Sequence, residues 1–122
     1  MKKILIVDDQ KGIRLLLNEV FSREGYKVYQ ASNGLEALNL IDREAIDGVM
    51  LDMKIPGMDG IEILKRIRER NLQIPVFMMT AFEGEEILKE ANQLGIAKYF
   101  RKPFNILDVR DEVNAVLNGS IG

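Results

Sequence analysis

Short apolar runs recur along the chain, each followed by a longer stretch in which apolar residues return every three or four positions. The runs Ile4 to Val7, Val28 to Ala31, Val49 to Leu51, Val76 to Met79 and Ala97 to Phe100 predict five β-strands. Between them, Ile13, Leu16, Leu17, Val20 and Phe21 form the buried face of a first helix, which Gly25 stops. Ala37, Leu38 and Ile41 mark a second helix after Asn33-Gly34, and Ile63, Leu64 and Ile67 a third after Asp59-Gly60, ending near Asn71. Ile87, Leu88, Ala91 and Leu94 mark a fourth, closed by Gly95. Val109, Val113, Val116 and Leu117 mark a fifth, with Asn105 placed to cap it.

Continuous apolar strands alternating with amphipathic helices predict a parallel sheet covered on both faces, the doubly wound α/β class. A length of 122 residues suits one domain, expected over 1–118 with a short tail at 119–122. In such sheets ligands gather beyond the carboxyl ends of the strands. Asp8-Asp9 follow the first strand, Asp52 the third, Thr80-Ala81 the fourth and Arg101-Lys102-Pro103 the fifth.

Composition narrows the chemistry available at that edge. The chain has no cysteine and no histidine, so disulfides, thiolate sites and histidine-dependent triads are excluded. With 17 basic and 19 acidic residues, a net charge of −2 gives no global attraction to nucleic acid or anionic membranes. Only four apolar residues separate Lys3 from Asp8, too few for a signal-peptide core or a span, and a cytoplasmic protein is expected.

Three carboxylates converging on one edge repel one another unless a hard cation sits among them. Mg²⁺ commonly binds one or two carboxylates beside a phosphoryl group. Asp8 and Asp9 suit the cation, while Asp52, alone at the end of a central strand, suits a nucleophile in aspartyl-phosphate chemistry. Thr80 and Lys102 supply donors for the phosphoryl oxygens. Each residue alone has a plainer reading: Asp52 in a turn, Asp8-Asp9 and Thr80 as helix caps, Lys102 in solvent. The set as a whole carries the signal.

Four segments then resemble the receiver domain of two-component response regulators: "ILIVDDQ", "VMLDMKIPGMDG", "VFMMTA" and "YFRKPF" match its acidic pair, phospho-acceptor, threonine and Lys-Pro segments in order. The resemblance runs from Lys2 to about Leu117 and implies a flavodoxin-like sheet of order 2-1-3-4-5 with five helices. It implies Asp52 as phospho-acceptor and Mg²⁺, replaceable by Mn²⁺, held by Asp8, Asp9, Asp52 and the backbone carbonyl of Lys54. Thr80 and Lys102 would contact the phosphoryl group, Tyr99 would be the switch aromatic, and Lys102-Pro103 a cis bond. Lys54 and Phe82 would flank the path of attacking water and slow self-hydrolysis.

"DDQKGIRLLLNEVF" and "KPFNILDVRDEV" further resemble single-domain receivers of sporulation phosphorelays. That likeness implies a monomer without an effector domain, passing phosphoryl groups from a sensor histidine kinase to a downstream histidine phosphotransferase, with an aspartyl-phosphate phosphatase as a further partner. The implied partner surface comprises Gln10, Gly12, Ile13, Leu16, Lys54, Ile55, Pro56, Thr80, Phe82, Gly84, Pro103 and Phe104. Gly12 is a poor helix residue, explained either by close approach of a partner backbone or by tolerance in a first turn. The alternatives are a phosphorylation-switched binding module, a transcription-factor receiver, a dehalogenase-type phosphatase, which needs D-x-D after its first strand, and a flavodoxin-type module, whose phosphate Asp8-Asp9 would repel.

Overall fold

The computed structural model of the chain describes residues 1–55, 57–70, 73–81 and 85–119. Its strands are β1 (Lys3–Val7), β2 (Lys27–Ala31), β3 (Gly48–Asp52), β4 (Val76–Thr80) and β5 (Lys98–Arg101). They alternate with α1 (Lys11–Arg23), α2 (Gly34–Arg43), α3 (Gly60–Arg70), α4 (Glu85–Gln93) and α5 (Ile106–Leu117). All strand pairs are parallel and the order is β2-β1-β3-β4-β5, as expected for a doubly wound sheet. Asp52 and Thr80 close their strands rather than following them, and β5 begins one residue later than its apolar run.

Side chains alternate across the sheet, which divides the core in two. Leu5, Val7, Val49, Leu51, Val76 and Met78 face α2, α3 and α4, meeting Ala37, Leu38, Ile63, Leu64, Ile67 and Ala91. Ile4, Ile6, Met50, Phe77, Met79 and Phe100 face α1 and α5, meeting Leu17, Phe21, Val109, Val113 and Leu117. The central strands β3 and β4 are buried throughout, which is why their sequences read as unbroken apolar runs.

Helix ends follow local chemistry. Asn33 Oδ1 accepts from Glu36 N, Asp59 Oδ1 from Glu62 N, and Asn105 Oδ1 from Leu107 N and Asp108 N. Gly25 follows α1 with φ +91°, a left-handed conformation that ends the helix cheaply only at glycine.

Some expected core positions lie outside. Leu16, Ile87 and Val116 are exposed, because each stripe drifts around its helix and only the residues nearest the sheet are covered: Leu17 and Phe21, Ala91, and Val113 and Leu117. The predicted end of α3 at Asn71 falls outside the described residues.

The unexpected core member is Arg68. Its guanidinium donates to Ile74 O at 2.8 Å, Leu94 O at 2.7 Å and Gly95 O at 2.8 Å, tying α3 to the chain leaving α4 and to the approach to β4. Arg68→Met leaves those carbonyls without their charged donor and should lower unfolding free energy by about 2–4 kcal/mol. Arg68→Lys, which cannot fork across three acceptors, should recover only part of it in urea titrations. A loss below measurement error for Arg68→Met would disprove the tie.

Candidate phosphoryl-acceptor site

Strand register explains how the acidic residues meet. Ile6 pairs with Met50 and Val7 with Leu51, so continuing the register sets Asp8 opposite Asp52. Both lie on the α1/α5 side by alternation, as does Lys102, two residues beyond Phe100. The observed contacts agree: Lys102 Nζ lies 3.0 Å from Asp8 Oδ2 and 3.4 Å from Asp52 Oδ2. The Lys102-Pro103 bond is cis, as expected.

Asp8 is wholly buried and Asp52 is 5% exposed, while Asp9 reaches solvent. Carboxylate oxygens of Asp8, Asp9 and Asp52 all lie within 4.8 Å of one another, and they are the group of that kind among the described residues. Backbone donors fix two of them: Gln10 N donates to Asp8 Oδ1 at 2.9 Å and Lys54 N to Asp52 Oδ1 at 3.2 Å. Burial pushes the Asp52 carboxyl above the ordinary carboxylate range; the Lys54 amide opposes this, the Asp8 charge adds to it and Lys102 opposes it.

This donor set fits Mg²⁺. Carboxylate oxygens are the hard ligands the ion prefers, one exposed member leaves room for its retained waters, and the like charges of Asp8 and Asp52 need more cation than one lysine supplies. Thr80 and Tyr99 fall on the other side of the sheet by alternation. Thr80 continues the alternation of Met78, and Tyr99 pairs with Met78, so both belong to the α3/α4 face. There they line a cavity of about 730 Å³ together with Met53, Lys54, Ile87 and Leu88. A hydroxyl at the end of β4, the strand beside Asp52, and a half-buried ring thus share one open volume.

The remaining expected positions divide. Gln10 is exposed just before α1 and Gly12 and Leu16 are exposed on it, Ile13 is half-buried, Pro103 is exposed, and Ile13 and Phe104 each pack against the α1/α5 core. Lys54 is exposed. Ile55 is a correction: at 6% exposure it packs into the α2/α3/α4 core, because the chain turns inward after Lys54, and it offers no docking surface. Pro56, Phe82 and Gly84 lie outside the described residues.

Two residues of the site were not read from the sequence. Arg14 Nη1 donates to Asp8 O at 2.7 Å, anchoring the β1–α1 junction from the first turn of α1; a basic residue six positions past the acid was the available signal. Leu15, 51% exposed, extends the apolar outer face beside Leu16.

The model of the response regulator receiver domain matches residues 4–114. The chain belongs to the response regulator receiver family. This receiver is 54% identical over 116 residues to sporulation initiation phosphotransferase F of Bacillus subtilis, covering 95% of this chain and 94% of that protein. It is 40% identical to the alkaline phosphatase synthesis transcriptional regulatory protein PhoP of the same organism, over 98% of this chain but 50% of PhoP. Among solved structures, a CheY-like receiver domain protein from Methanospirillum hungatei superposes with a TM-score of 0.93 at 28% identity, covering 98% of this chain and 95% of that one. The chemotaxis protein CheY4 of Vibrio cholerae superposes with a TM-score of 0.84 at 29% identity, covering 98% of each chain. Receivers of this family bind Mg²⁺ at an acidic cluster such as Asp8, Asp9 and Asp52. Among the described residues no helix is long and apolar enough to cross a membrane.

Proposed function

We propose that the chain is a cytoplasmic, monomeric phosphorelay receiver of the sporulation type, functional over residues 1–118, in which Asp52 takes a phosphoryl group from a sensor histidine kinase and yields it to a histidine of a downstream phosphotransferase. The observation that carries the reading is the lysine-bridged pair Asp8–Asp52 at the carboxyl edge of the sheet, with Asp9 completing an oxygen cluster. The likeness to sporulation initiation phosphotransferase F along nearly the full length of both chains supports the relay over a switch that only binds partners.

In the forward step an Asp52 carboxylate oxygen attacks phosphorus in line; the O–P bond forms as the P–N bond to the kinase histidine breaks, and the imidazole leaves. The return step reverses this on a second histidine. Lys54 N, donating to Asp52 Oδ1, leaves Oδ2 as the attacking oxygen. Lys102, already 3.4 Å from that oxygen, follows the charge onto the transferred group, and the Thr80 hydroxyl donates to a phosphoryl oxygen. Asp8, Asp9, Asp52 and the Lys54 carbonyl would hold Mg²⁺, or Mn²⁺ in its place, which when bound offsets the charge shared by carboxylates and phosphoryl oxygens. Tyr99 would report the change by turning into the cavity it shares with Thr80.

The docking face would be the start of α1 with the loop after β5, where Gln10, Gly12, Leu16 and Pro103 are exposed around half-buried Ile13 and Phe104. A Cβ built on Gly12 meets nothing within 4 Å among the described residues, so no packing among them requires glycine there and an approaching partner helix is a sufficient reason. An aspartyl-phosphate phosphatase would use the same face.

The deciding experiment is transfer of labelled phosphate from an autophosphorylated histidine kinase and onward to a histidine phosphotransferase domain. Label should pass through this chain with Mg²⁺ and stop with chelator. Equal transfer in chelator would reject the metal-assisted mechanism, and acceptance without onward transfer would favour the binding switch.

A further inference from the structure

Gly60, the first residue of α3, is crowded in a way no other described glycine matches. A Cβ there would lie 2.6 Å from Met53 Cα, 2.8 Å from Met53 Sδ and 3.1 Å from Asp52 O. The first of these contacts is with backbone, which cannot rotate aside. Its φ is not positive, so conformational freedom is not the reason for glycine. Gly60 N donates to Met53 O at 3.0 Å, and Met53 N donates to Met79 O at 3.0 Å. Met53 is therefore clamped between β4 and the first turn of α3, and it links Asp52 to Lys54, whose amide holds Asp52 Oδ1 at 3.2 Å.

From this we infer that Gly60 is a positioning residue for the acceptor site: the missing side chain lets α3 seat against Met53 and so fixes the Asp52 carboxylate and the Lys54 peptide where the cation ligands must stand. This rests on the proposed role of Asp52. Any side chain at 60 would push the Asp52–Lys54 backbone away from α3, and Mg²⁺ would tolerate little displacement of the oxygens that hold it.

Gly34 supplies the control. A Cβ there would also be crowded, at 3.0 Å, but against Ile63 Cγ1 and Met58 Sδ, side-chain atoms that can give. Mg²⁺ is titrated into native protein, Gly60→Ala, Gly34→Ala and Gly60→Ala/Met53→Ala, following backbone amide shifts of residues 52–54, all in sucrose so that each variant stays folded. Gly60→Ala should shift the Lys54 amide before any metal is added and raise the Mg²⁺ dissociation constant about tenfold or more, as loss of a supporting contact typically does. The Met53→Ala truncation should not rescue it, and Gly34→Ala should stay within about twofold of native, whatever stability either loses. An unchanged constant in Gly60→Ala, or full rescue by truncating Met53, would overturn the inference. Absence of Mg²⁺ binding by the native protein would instead count against the proposed function.

Discussion

Asp52→Asn should accept no label from a phosphorylated histidine kinase or from acetyl phosphate, while the fold survives and the metal-free protein becomes more stable near neutral pH. The two effects have one origin. Asp52 is 5% exposed, and its burial beside Asp8 disfavours the very charge that the proposed nucleophilic role requires. An amide keeps the shape, loses the nucleophilic oxygen and removes the cost of a buried charge, on the order of 1 kcal/mol where a buried ion gives way to a neutral isostere.

The pH dependence has a definite sign. Because the Asp52 carboxyl is raised in the folded chain, the folded state holds more protons than the unfolded one between the ordinary carboxylate value and the raised one. The stability this contributes is complete below the ordinary value and is lost as pH rises through the raised value. Metal-free native protein should therefore fall progressively behind Asp52→Asn across that window and hold a constant gap above it. Mg²⁺ should narrow the gap, since it binds the native carboxylate better. Urea titrations at a series of pH values test this. A gap that ignores pH would mean that Asp52 is not the strained charge, and label in Asp52→Asn would mean that it is not the acceptor.

The parts of this site that could be read from the sequence are those set by strand termini. Asp8, Asp52, Thr80 and Lys102 each stand at or just beyond the end of an apolar run, and a parallel sheet brings such ends to one edge whatever the loops do. Strand alternation then decides which of them meet, placing Lys102 with the two buried carboxylates and Thr80 with Tyr99 on the opposite face. Helix exposure was harder to read. Leu16, Ile87 and Val116 fit the apolar periodicity of their helices, yet periodicity defines a stripe without saying how wide a strip the sheet covers. Ile55 failed for a related reason: a residue in a loop beside a site looks like surface until the direction of the turn is known.

Arg68 and Gly60 were illegible for a different reason. One arginine among several in a helix rich in Lys, Arg and Glu reads as a solvated charge, and the arrival of the Ile74, Leu94 and Gly95 carbonyls at one point explains its burial. Gly60 reads with Asp59 as the start of a helix; that a Cβ there would meet the backbone of Met53, next to Asp52, is a tertiary fact.

Lys102→Met should have two losses with different responses to Mg²⁺. Lys102, itself 17% exposed, bridges Asp8 at 3.0 Å and Asp52 at 3.4 Å, and removing it without supplying metal should strand two buried carboxylates together. Breaking a buried ion pair from one side typically costs about 3–5 kcal/mol, and the lower end applies here because Asp52 can take up a proton. Mg²⁺ supplies the missing positive charge and should return most of that stability. It should not return the rate: phosphoryl transfer should stay about 10²–10³ slower at saturating metal, the loss expected when one fixed donor to developing negative charge is removed. Adding Asp52→Asn to Lys102→Met should recover stability without metal, because one stranded carboxylate is gone. Denaturation with and without Mg²⁺, beside single-turnover transfer, separates the outcomes. If Mg²⁺ restores stability and rate together, Lys102 serves only to hold the empty site closed; if it restores neither, the lysine's role is packing, and the bridge to Asp8 and Asp52 is incidental to the chemistry.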